Sequence, residues 1–386
     1  MLLQSTSFEH GGAAIAAKRW VEALEFEGNQ CQSAMLRHSY RQRFANKVAE
    51  SLFWNKTLFA YRGPISIGLV GREKSRNSEA YFTHWVQNGF LSLFQLSLQS
   101  KKTIWYLHDE WLLIGTGHYG DFSRLESRLP RRTWLLDFVL RKWKLKFLIQ
   151  PALGICVPSN WMKGRLIDNG VSADRILVIP NPIPDVFLNS PSKATARLRL
   201  NLEVNEKIVL VVASSTILDK RKGVDLIEPT LSQLLKQDSG ILLITVGIDN
   251  FDLRINGMNH KPWKRVDSEL ELVDLYAAAD VLFIPSRLDN LPQVVTEAQS
   301  VGLPVVAFDV GGISDAILVL GVSGKVVEDF SLEKAAESIQ FFLENSKEAD
   351  RGDWVSKASK QWSGPIVKEL FCDFIDNLDC RSATTP

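Results

Sequence analysis

Short apolar runs alternate with amphipathic stretches along the whole chain. The runs predict buried strands at residues 1–4, 31–37, 80–86, 103–107, 154–157, 176–179, 207–213, 241–247, 281–284 and 305–308, with another short strand at 263–266. The amphipathic stretches predict helices at residues 13–27, 90–100, 193–200, 224–236, 269–279, 331–345 and from about 350 to 379, before a disordered tail from Arg381. This alternation is typical of doubly wound α/β folds with parallel sheets.

The chain has 386 residues, which is too long for one ordinary hydrophobic core and suits two domains. Residues 184–192 are rich in Pro, Asn and Ser, and we interpret them as the linker between the domains. The first domain then covers residues 1–184 and the second covers residues 185–349. Residues 350–386 form a C-terminal helical segment.

Composition narrows the classes of function. The chain is 45% hydrophobic and 23% charged with a net charge of +1, so no overall positive field favours nucleic acid as a partner. Its four cysteines contain no Cys-x-x-Cys pair, which indicates free thiols and no structural zinc site. Because the first residues lack a signal-peptide pattern and no apolar run reaches about 20 residues, we expect a cytoplasmic protein.

Two acidic residues follow the predicted strand 281–284. Asp289 lies in the loop after this strand, and Glu297 lies one to two turns into the next helix, which leads to a further strand and Gly311-Gly312. Open α/β sheets bind ligands at the carboxyl ends of their strands, which is where these residues fall. The start of the helix, with the backbone N–H groups of Asn290, Leu291 and Gln293, offers a positive dipole end to a phosphate or sugar.

Several motifs resemble those of GT4-type retaining glycosyltransferases, in particular a subgroup that builds bacterial exopolysaccharides and surface glycans. The stretch from Ile284 to Gly312 is similar to the donor-site signature of that family, and the run from Ile104 to Trp111 reads IWYLHDEW, close to a segment of the subgroup. Further similarity lies in Gly115–Tyr119, in PSNW at Pro158–Trp161 and in IPNP at Ile179–Pro182. The resemblance implies a GT-B fold, in which two Rossmann-like domains face each other across a cleft and the C-terminal helix returns to the first domain.

The resemblance also implies roles for particular residues. Glu297 would accept hydrogen bonds from both ribose hydroxyls of a nucleotide-sugar, and Asp289 would contact the donor sugar. Arg221 and Lys222 would hold the diphosphate, although such a basic cluster also suits a solvated turn. His108 would face the donor sugar as a catalytic residue, the alternative being a histidine that caps a turn at the end of a strand. For His118 we favour a structural or acceptor-side role.

Gly11 and Gly12 follow the first strand, where this family brings its backbone close to the donor or acceptor; a loop that needs positive φ explains them equally well. Two positions depart from the common pattern of the family. Asp289 stands where a Glu is usual, and Thr216 stands where an Arg is usual. We therefore expect this chain to differ from other members of that family in its contact with the donor sugar and in its affinity for the donor.

The expected function is transfer of a sugar from a UDP- or GDP-sugar to a glycan or lipid-linked acceptor, with retention of configuration, in polysaccharide biosynthesis. No metal and no cofactor are expected, because cations and a helix dipole would neutralise the leaving diphosphate. A non-catalytic nucleotide-sugar-binding subunit of a glycan assembly complex is the alternative that Asp289 and Thr216 motivate. An epimerase or phosphorylase on the same scaffold fits less well, since a pyridoxal phosphorylase needs a longer chain.

One predicted helical segment, at residues 131–148, is strongly basic. It carries the apolar residues Trp134, Leu135, Phe138, Val139 and Trp143 and the cations Arg131, Arg132, Arg141, Lys142, Lys144 and Lys146. Such a helix can lie on an anionic membrane surface, which would place the protein at the inner face of the cytoplasmic membrane. Packing of the apolar residues on the sheet, with a solvated basic face, is the alternative.

Overall fold

The computed structural model describes most of the chain. The described residues are 2–5, 12–25, 32–34, 80–84, 93–115, 119–120, 131–213, 219–236, 240–248, 257–264, 266, 268–345 and 348–384. They divide into two compact units, one formed by Met1–Pro182 with Val367–Pro386 and the other by Ile183–Ile366. Gly11, His118 and Thr216, all considered above, lie outside the described residues.

The first unit contains a parallel sheet of six described strands. These are β1 (Leu2–Gln4), β2 (Gln32–Ala34), β3 (Tyr81–Thr83), β4 (Thr103–Tyr106), β5 (Gly154–Val157) and β6 (Ile176–Val178). Their order across the sheet is β2-β1-β3-β4-β5-β6, and every pairing is parallel. The described helices are α1 (Gly12–Glu25), α2 (Leu93–Gln99), α3 (Arg131–Lys144), which continues as a π-helix over Leu145–Ile149, and α4 (Asn160–Asp168).

The second unit has the same kind of sheet. Its strands are β7 (Lys207–Val212), β8 (Ile241–Val246), β9 (Asn259–Trp263), β10 (Val281–Ile284), β11 (Val305–Phe308) and β12 (Gly324–Val327), in the parallel order β12-β11-β10-β7-β8-β9. The described helices from Asp185 onward are α5 (Asp185–Leu188), α6 (Lys193–Arg199), α7 (Ile227–Leu234), α8 (Glu269–Ala278), α9 (Gln293–Ser300), α10 (Leu332–Asn345), α11 (Glu348–Trp362) and α12 (Gly364–Thr384), the last of which lies mostly in the first unit.

Helices cover both faces of the second sheet, which explains why its central strands are apolar throughout. Successive residues of a strand point to opposite faces, so Ile208 and Leu210 enter one core while Val209 and Val211 enter the other. A strand buried on both sides needs apolar residues at every position and cannot show the alternating pattern of a half-exposed strand.

Most of α12 packs with the first unit. Val367, Phe371 and Leu378 are buried in the same core as Leu3 and Trp20, which come from β1 and α1. Gly154 of β5 leaves room for this helix, because a Cβ there would lie 2.7 Å from the Leu378 side chain. The end of the chain thus completes the core of the unit in which the chain begins.

Two expectations from the sequence need correction, and one strand was not predicted. The short strand expected at residues 263–266 is β9, at Asn259–Trp263, an edge strand whose half-exposed residues and Pro262 give no apolar pattern. The edge strand β12 was not predicted at all, since only four residues form it and two of them are partly exposed. The tail expected to be disordered from Arg381 is helical to Thr384 as the last turn of α12.

Candidate donor-binding site

The candidate site in the second unit lies where the order of its strands reverses. The chain runs outward from β7 through β8 to β9, then restarts at β10 on the other side of β7. Open α/β sheets bind their ligands in the crevice at such a switch point, beyond the carboxyl ends of the two strands. The segment after β7 carries Arg221 and Lys222, and the loop after β10 carries Asp289.

Arg221 and Lys222 converge on the Asp289 carboxylate. The Lys222 Nζ lies 2.6 Å from Asp289 Oδ2, and a guanidinium nitrogen of Arg221 lies 3.5 Å from the same oxygen. The other carboxylate oxygen accepts a hydrogen bond of 3.1 Å from the backbone N–H of Asn290. The structure therefore brings together four residues that the sequence proposed for the donor site, and it pairs the two cations with an acid of the chain itself.

These charges shift the protonation of Asp289, which is only 7% exposed. Burial alone would raise the pKa of the Asp289 carboxyl, but the nearby charges of Lys222 and Arg221 and two hydrogen bonds hold that pKa below its ordinary value. Asp289 is consequently ionised at neutral pH and acts as the anionic centre of this cluster.

Two glycines allow the loops of the cluster to approach each other. Gly223 has φ +65°, and a Cβ there would lie 1.9 Å from the Pro285 carbonyl oxygen. Gly311 has φ +60°, and its Cβ would lie 1.8 Å from the Asp289 carbonyl oxygen, which also accepts a hydrogen bond from the Gly312 N–H. Glycine tolerates positive φ and needs no room for a side chain, so both turns close tightly around Asp289.

A second layer of contacts fixes the cationic turn. Asp219 accepts hydrogen bonds from the backbone N–H and the guanidinium of Arg221, at 3.1 and 3.2 Å. Arg221 also donates to the Leu288 carbonyl oxygen at 3.1 Å, and its own carbonyl accepts from the Arg287 N–H at 2.7 Å. This network holds Arg221 in place through both its backbone and its guanidinium.

Glu297 is buried on α9, with only 4% of its surface exposed. One of its carboxylate oxygens accepts a hydrogen bond of 2.9 Å from the Tyr276 hydroxyl on α8. A carboxylate has about four lone-pair sites, so the same group can accept hydrogen bonds from a ligand as well as from Tyr276. Tyr276 thus orients Glu297, a role that the sequence did not predict.

The start of α9 follows the Asp289 loop. Asn290 is 1% exposed and Leu291 is 8% exposed, and Leu291 belongs to the core on one face of the sheet. Gln293 is the first residue of the helix, after Pro292 at its N-cap. The structure therefore places all three predicted backbone contacts at one helix start, beside the carboxylate that Lys222 and Arg221 hold.

His108 lies in the first unit, directly beyond the carboxyl end of β4. Its Nε2 lies 3.0 Å from Nδ1 of His84, which directly follows the neighbouring strand β3. Burial lowers the pKa of His108 to about 4, although the charge of Asp109 acts in the opposite direction. Gly12, the other candidate in this unit, is the exposed first residue of α1.

Two contacts of the site residues were not predicted from the sequence, for different reasons. His84 ends an ordinary apolar strand pattern, and nothing local marks it as the partner of a residue 24 positions away. Tyr276 belongs to the segment LYAAAD, and an apolar helix pattern cannot distinguish a tyrosine that fills a core from one that holds a carboxylate. Both contacts join residues that are distant in sequence, the first at the ends of parallel strands and the second between two helices.

Comparison with known protein families agrees with this architecture. The family described as "Glycosyltransferase Family 4" matches residues 10–186, and that described as "Glycosyl transferases group 1" matches residues 192–361. The first match falls mainly in the first unit and the second lies within the second unit. The chain belongs to the GT4-type glycosyltransferases.

Curated relatives are similar over part of the chain. The D-inositol 3-phosphate glycosyltransferase of Segniliparus rotundus is 28% identical over 181 residues, which are 44% of this chain and 39% of that protein. The enzyme of the same name from Nocardia farcinica is 31% identical over 170 residues, 38% of this chain and 35% of that protein. The chain thus matches between a third and two fifths of the length of these relatives.

Solved structures match almost the full chain in fold. Anabaena HepE in complex with UDP-glucose has a TM-score of 0.66 at 17% identity, covering 97% of this chain and 99% of that chain. Sucrose-phosphate synthase from Thermosynechococcus elongatus has a TM-score of 0.71 at 18% identity, covering 98% and 99%. The fold is therefore GT-B, with a Rossmann-like sheet in each unit.

Proposed function

We propose that the chain is a retaining glycosyltransferase that moves a sugar from a UDP- or GDP-sugar to a glycan or lipid-linked acceptor in polysaccharide biosynthesis. One observation carries this proposal. Arg221, Lys222 and Asp289 meet at the switch point of the second sheet, at the start of the helix that carries Glu297. Cations and a helix N-terminus suit a diphosphate, and a buried carboxylate suits the vicinal hydroxyls of a ribose.

In this proposal each residue has a distinct task. Arg221 and Lys222 bind the diphosphate and stabilise its charge as it leaves, and Glu297 accepts hydrogen bonds from the ribose. Asp289 orients the two cations and contacts the donor sugar, while the backbone at Asn290, Leu291 and Gln293 faces the sugar or diphosphate. His108 acts on the sugar being transferred, and Gly11 and Gly12 allow close approach of the backbone to a substrate.

The proposed chemistry needs no protein nucleophile. The acceptor oxygen forms a bond to the anomeric carbon on the face from which the diphosphate departs, and the bond between that carbon and the phosphate oxygen breaks. The acceptor proton passes to the departing phosphate, so charge and atoms balance. Because fixed cations would meet the developing charge, we propose that turnover is independent of metal and unchanged by EDTA.

A panel of UDP- and GDP-sugars, scored by thermal shift and nucleotide release, tests the donor site. We expect at least one of them to stabilise the purified chain and to be cleaved. Lys222→Ala and Glu297→Ala should lose this stabilisation, whereas Lys220→Ala, which removes an exposed lysine from the same turn, should keep it. If no nucleotide or nucleotide-sugar stabilises the wild-type chain, the assignment of the site is wrong.

The same panel separates an enzyme from a binding subunit. An enzyme should release nucleotide slowly from its donor by hydrolysis, and Asp289→Ala and His108→Ala should abolish that release. Tight binding without release, with or without glycan and lipid-linked acceptors, would instead support a non-catalytic nucleotide-sugar-binding subunit. Anomeric configuration of the product, read by NMR, tests retention.

We also propose that α3 brings the protein to an anionic membrane surface at the cytoplasmic side. Leu135, Phe138 and Val139 are 61%, 47% and 51% exposed, so these apolar residues do not pack on the sheet. They share a helical face with Lys142 and Lys146, which are also exposed. An exposed apolar stripe flanked by cations suits the boundary between anionic headgroups and acyl chains.

Among the described helices, none is both long and apolar enough to cross a bilayer. Surface binding is therefore tested by sedimentation with vesicles. Vesicles that contain anionic lipid should retain the wild-type chain, purely zwitterionic vesicles should not, and a Leu135→Ser, Phe138→Ser double variant should lose the binding. Leu198→Ser, which changes a leucine 78% exposed on α6, is the control. Equal retention of the double variant would contradict membrane contact through α3.

A further inference from the structure

His84 and His108 form a pair of imidazoles at adjacent strand ends of the first sheet. The residue after β3 and the second residue after β4 lie side by side because the two strands are parallel neighbours. Their ring nitrogens, His84 Nδ1 and His108 Nε2, are 3.0 Å apart, which is hydrogen-bond distance. One ring must donate a proton and the other must accept it.

Aromatic side chains enclose His84. Its ring stacks on Tyr106, with centroids 5.0 Å apart and an interplanar angle of 20°, and meets Phe82 edge-on at 4.5 Å. Trp20 of α1 lies 6.3 Å away, and Phe371 of α12 packs against both Trp20 and Phe82. His84 is 4% exposed, and its second nitrogen, Nε2, is buried without a hydrogen-bond partner among the residues that the structure describes.

This enclosure keeps the pair uncharged. Burial and the neighbouring His108 lower the pKa of His84 well below its ordinary value, and burial lowers that of His108 to about 4. Within the described part of the chain, the titratable or charged groups with a recorded contact or charge effect on the pair are Tyr106, which stacks on His84, and Asp109, which acts on His108. With neutral imidazoles at both positions, the location of one proton decides what each ring can do.

The orphan nitrogen of His84 indicates where that proton lies. If His108 donated, His84 would carry its proton on Nε2 and bury an N–H group without an acceptor. If His84 donates from Nδ1, its Nε2 instead carries no proton, and only an unused acceptor lone pair is buried among the aromatic rings. A buried donor left unpaired is the rarer and less favourable of the two, so the second arrangement is preferred.

We propose that His84 is a positioning residue that donates to His108 Nε2 and thereby fixes His108 with its proton on Nδ1. His108 then meets a substrate oxygen as a neutral hydrogen-bond donor, and it does not act as a general base. This inference rests on the proposed function, because it assigns the manner in which His108 would contact the transferred sugar. A base with a pKa far below the working pH would be inefficient in any case.

Nitrogen-15 NMR on histidine-labelled protein tests the placement of the proton without any substrate. The chain has six histidines, so His84→Phe and His108→Asn suffice to assign the pair. We expect His108 to carry its proton on Nδ1 at neutral pH. In His84→Phe, which keeps an aromatic ring in the enclosure, His108 should become a mixture of tautomers. A proton on His108 Nε2, or an unchanged tautomer in His84→Phe, would overturn the proposal.

Steady-state kinetics, measured with a nucleotide-sugar that the wild type cleaves, test whether the histidine pair matters for activity. His84→Phe should lower kcat by roughly 10- to 100-fold with a smaller change in KM, because the catalytic ring loses its orientation. His84→Asn places an amide donor near the original Nδ1 position and should restore much of kcat.

Phe371→Leu is the control for a merely structural role. It loosens the same aromatic cluster without touching the hydrogen bond, so it should lower thermal stability and leave kcat nearly unchanged. An equal loss of kcat in Phe371→Leu, or no recovery of kcat in His84→Asn, would refute the positioning role. If the wild type cleaves no nucleotide-sugar, the proposed function fails, while the NMR result still decides the state of the histidine pair.

Discussion

Lys222 and Asp289 form a close ion pair in the second unit, with 2.6 Å between the ammonium nitrogen and a carboxylate oxygen. The pair joins the segment after β7 to the loop after β10, across the switch point of the sheet. The lysine expected to bind the donor diphosphate is thus held by an acid of the chain itself. A diphosphate that binds here would share Lys222 with Asp289 or displace it.

This competition predicts an effect of Asp289→Asn on nucleotide binding. Removing the negative charge while keeping the shape should make UDP or GDP bind about three- to tenfold more tightly, because the diphosphate no longer meets a like charge. Calorimetric titration measures the change. Asp225→Asn, which neutralises an exposed carboxylate paired with Arg287, should leave the affinity unchanged. Weaker binding to Asp289→Asn would show that the acid is needed mainly to position the cations.

The same carboxylate should contribute a pH-dependent stability. Its pKa in the folded state is lowered from the ordinary value of 3.8, so the ionised form is favoured by folding. That contribution is present in full above the unfolded pKa and is lost as the pH falls through the lower folded pKa. The difference in unfolding free energy between wild type and Asp289→Asn should therefore be constant near neutral pH and shrink below about pH 4. Urea unfolding at a series of pH values measures it.

Tyr276→Phe should weaken nucleotide binding through Glu297. Without the hydroxyl that donates at 2.9 Å, the carboxylate loses its orienting partner, and affinity for the bound nucleotide should fall about three- to tenfold. The matching 2′-deoxynucleotide provides the control ligand, since it lacks one of the hydroxyls that Glu297 would bind. An equal loss of affinity for both nucleotides would argue that Tyr276 acts elsewhere.

Gly311→Ala should be far more harmful than another glycine substitution with a similar backbone. Both Gly311 and Gly321 have positive φ, but a Cβ at Gly321 meets nothing within 4 Å, whereas at Gly311 it meets the Asp289 carbonyl oxygen. We expect Gly321→Ala to lower the free energy of unfolding by about 1–2 kcal/mol. Gly311→Ala should lower it by about 3–5 kcal/mol and remove nucleotide binding. Equal effects in urea unfolding would contradict the close approach.

Lys144 is the one buried lysine of the basic segment among the described residues, and its replacement should destabilise the first unit. Its ammonium donates to the carbonyl oxygens of Trp111, Ile114 and Gly115 at 2.8 to 3.0 Å, and burial lowers its pKa to about 7. Lys144→Met would leave these carbonyls without their donor and should lower the free energy of unfolding by about 2–4 kcal/mol. Lys142→Met, on the exposed face, should change it little. Equal losses of unfolding free energy for Lys144→Met and Lys142→Met, measured by urea unfolding, would contradict the structural role of Lys144.

The sequence predicted the central strands well because burial on both faces forces an uninterrupted apolar run. Strands β4, β5, β10 and β11 were all expected within a residue of where they lie. The failures were the two edge strands of the second sheet: β9 was misplaced and β12 was missed. An edge strand is partly exposed and needs no continuous apolar run, so its position depends on the neighbour with which it pairs.

The basic segment at residues 131–148 shows that an amphipathic pattern by itself does not predict which side of a helix is buried. The sequence could not decide whether Leu135, Phe138 and Val139 pack on the sheet or face solvent, because both arrangements produce an amphipathic helix. The structure exposes these three residues and buries Leu140 and Lys144 instead. The side of a helix that faces the core depends on how the helix packs against the rest of the unit. In this helix the buried side carries Lys144, and the three apolar residues lie on the exposed side.

By itself the sequence determined the strand–helix alternation, the family and the types of residue at the donor site, because these follow from local apolar patterns and short motifs. Only the tertiary structure decided that Asp289 holds Lys222, that Tyr276 holds Glu297 and that His84 holds His108. Each pair spans at least 21 residues of chain and meets because parallel strands or packed helices place their ends together. Such contacts depend on strand order and register, which no local pattern encodes.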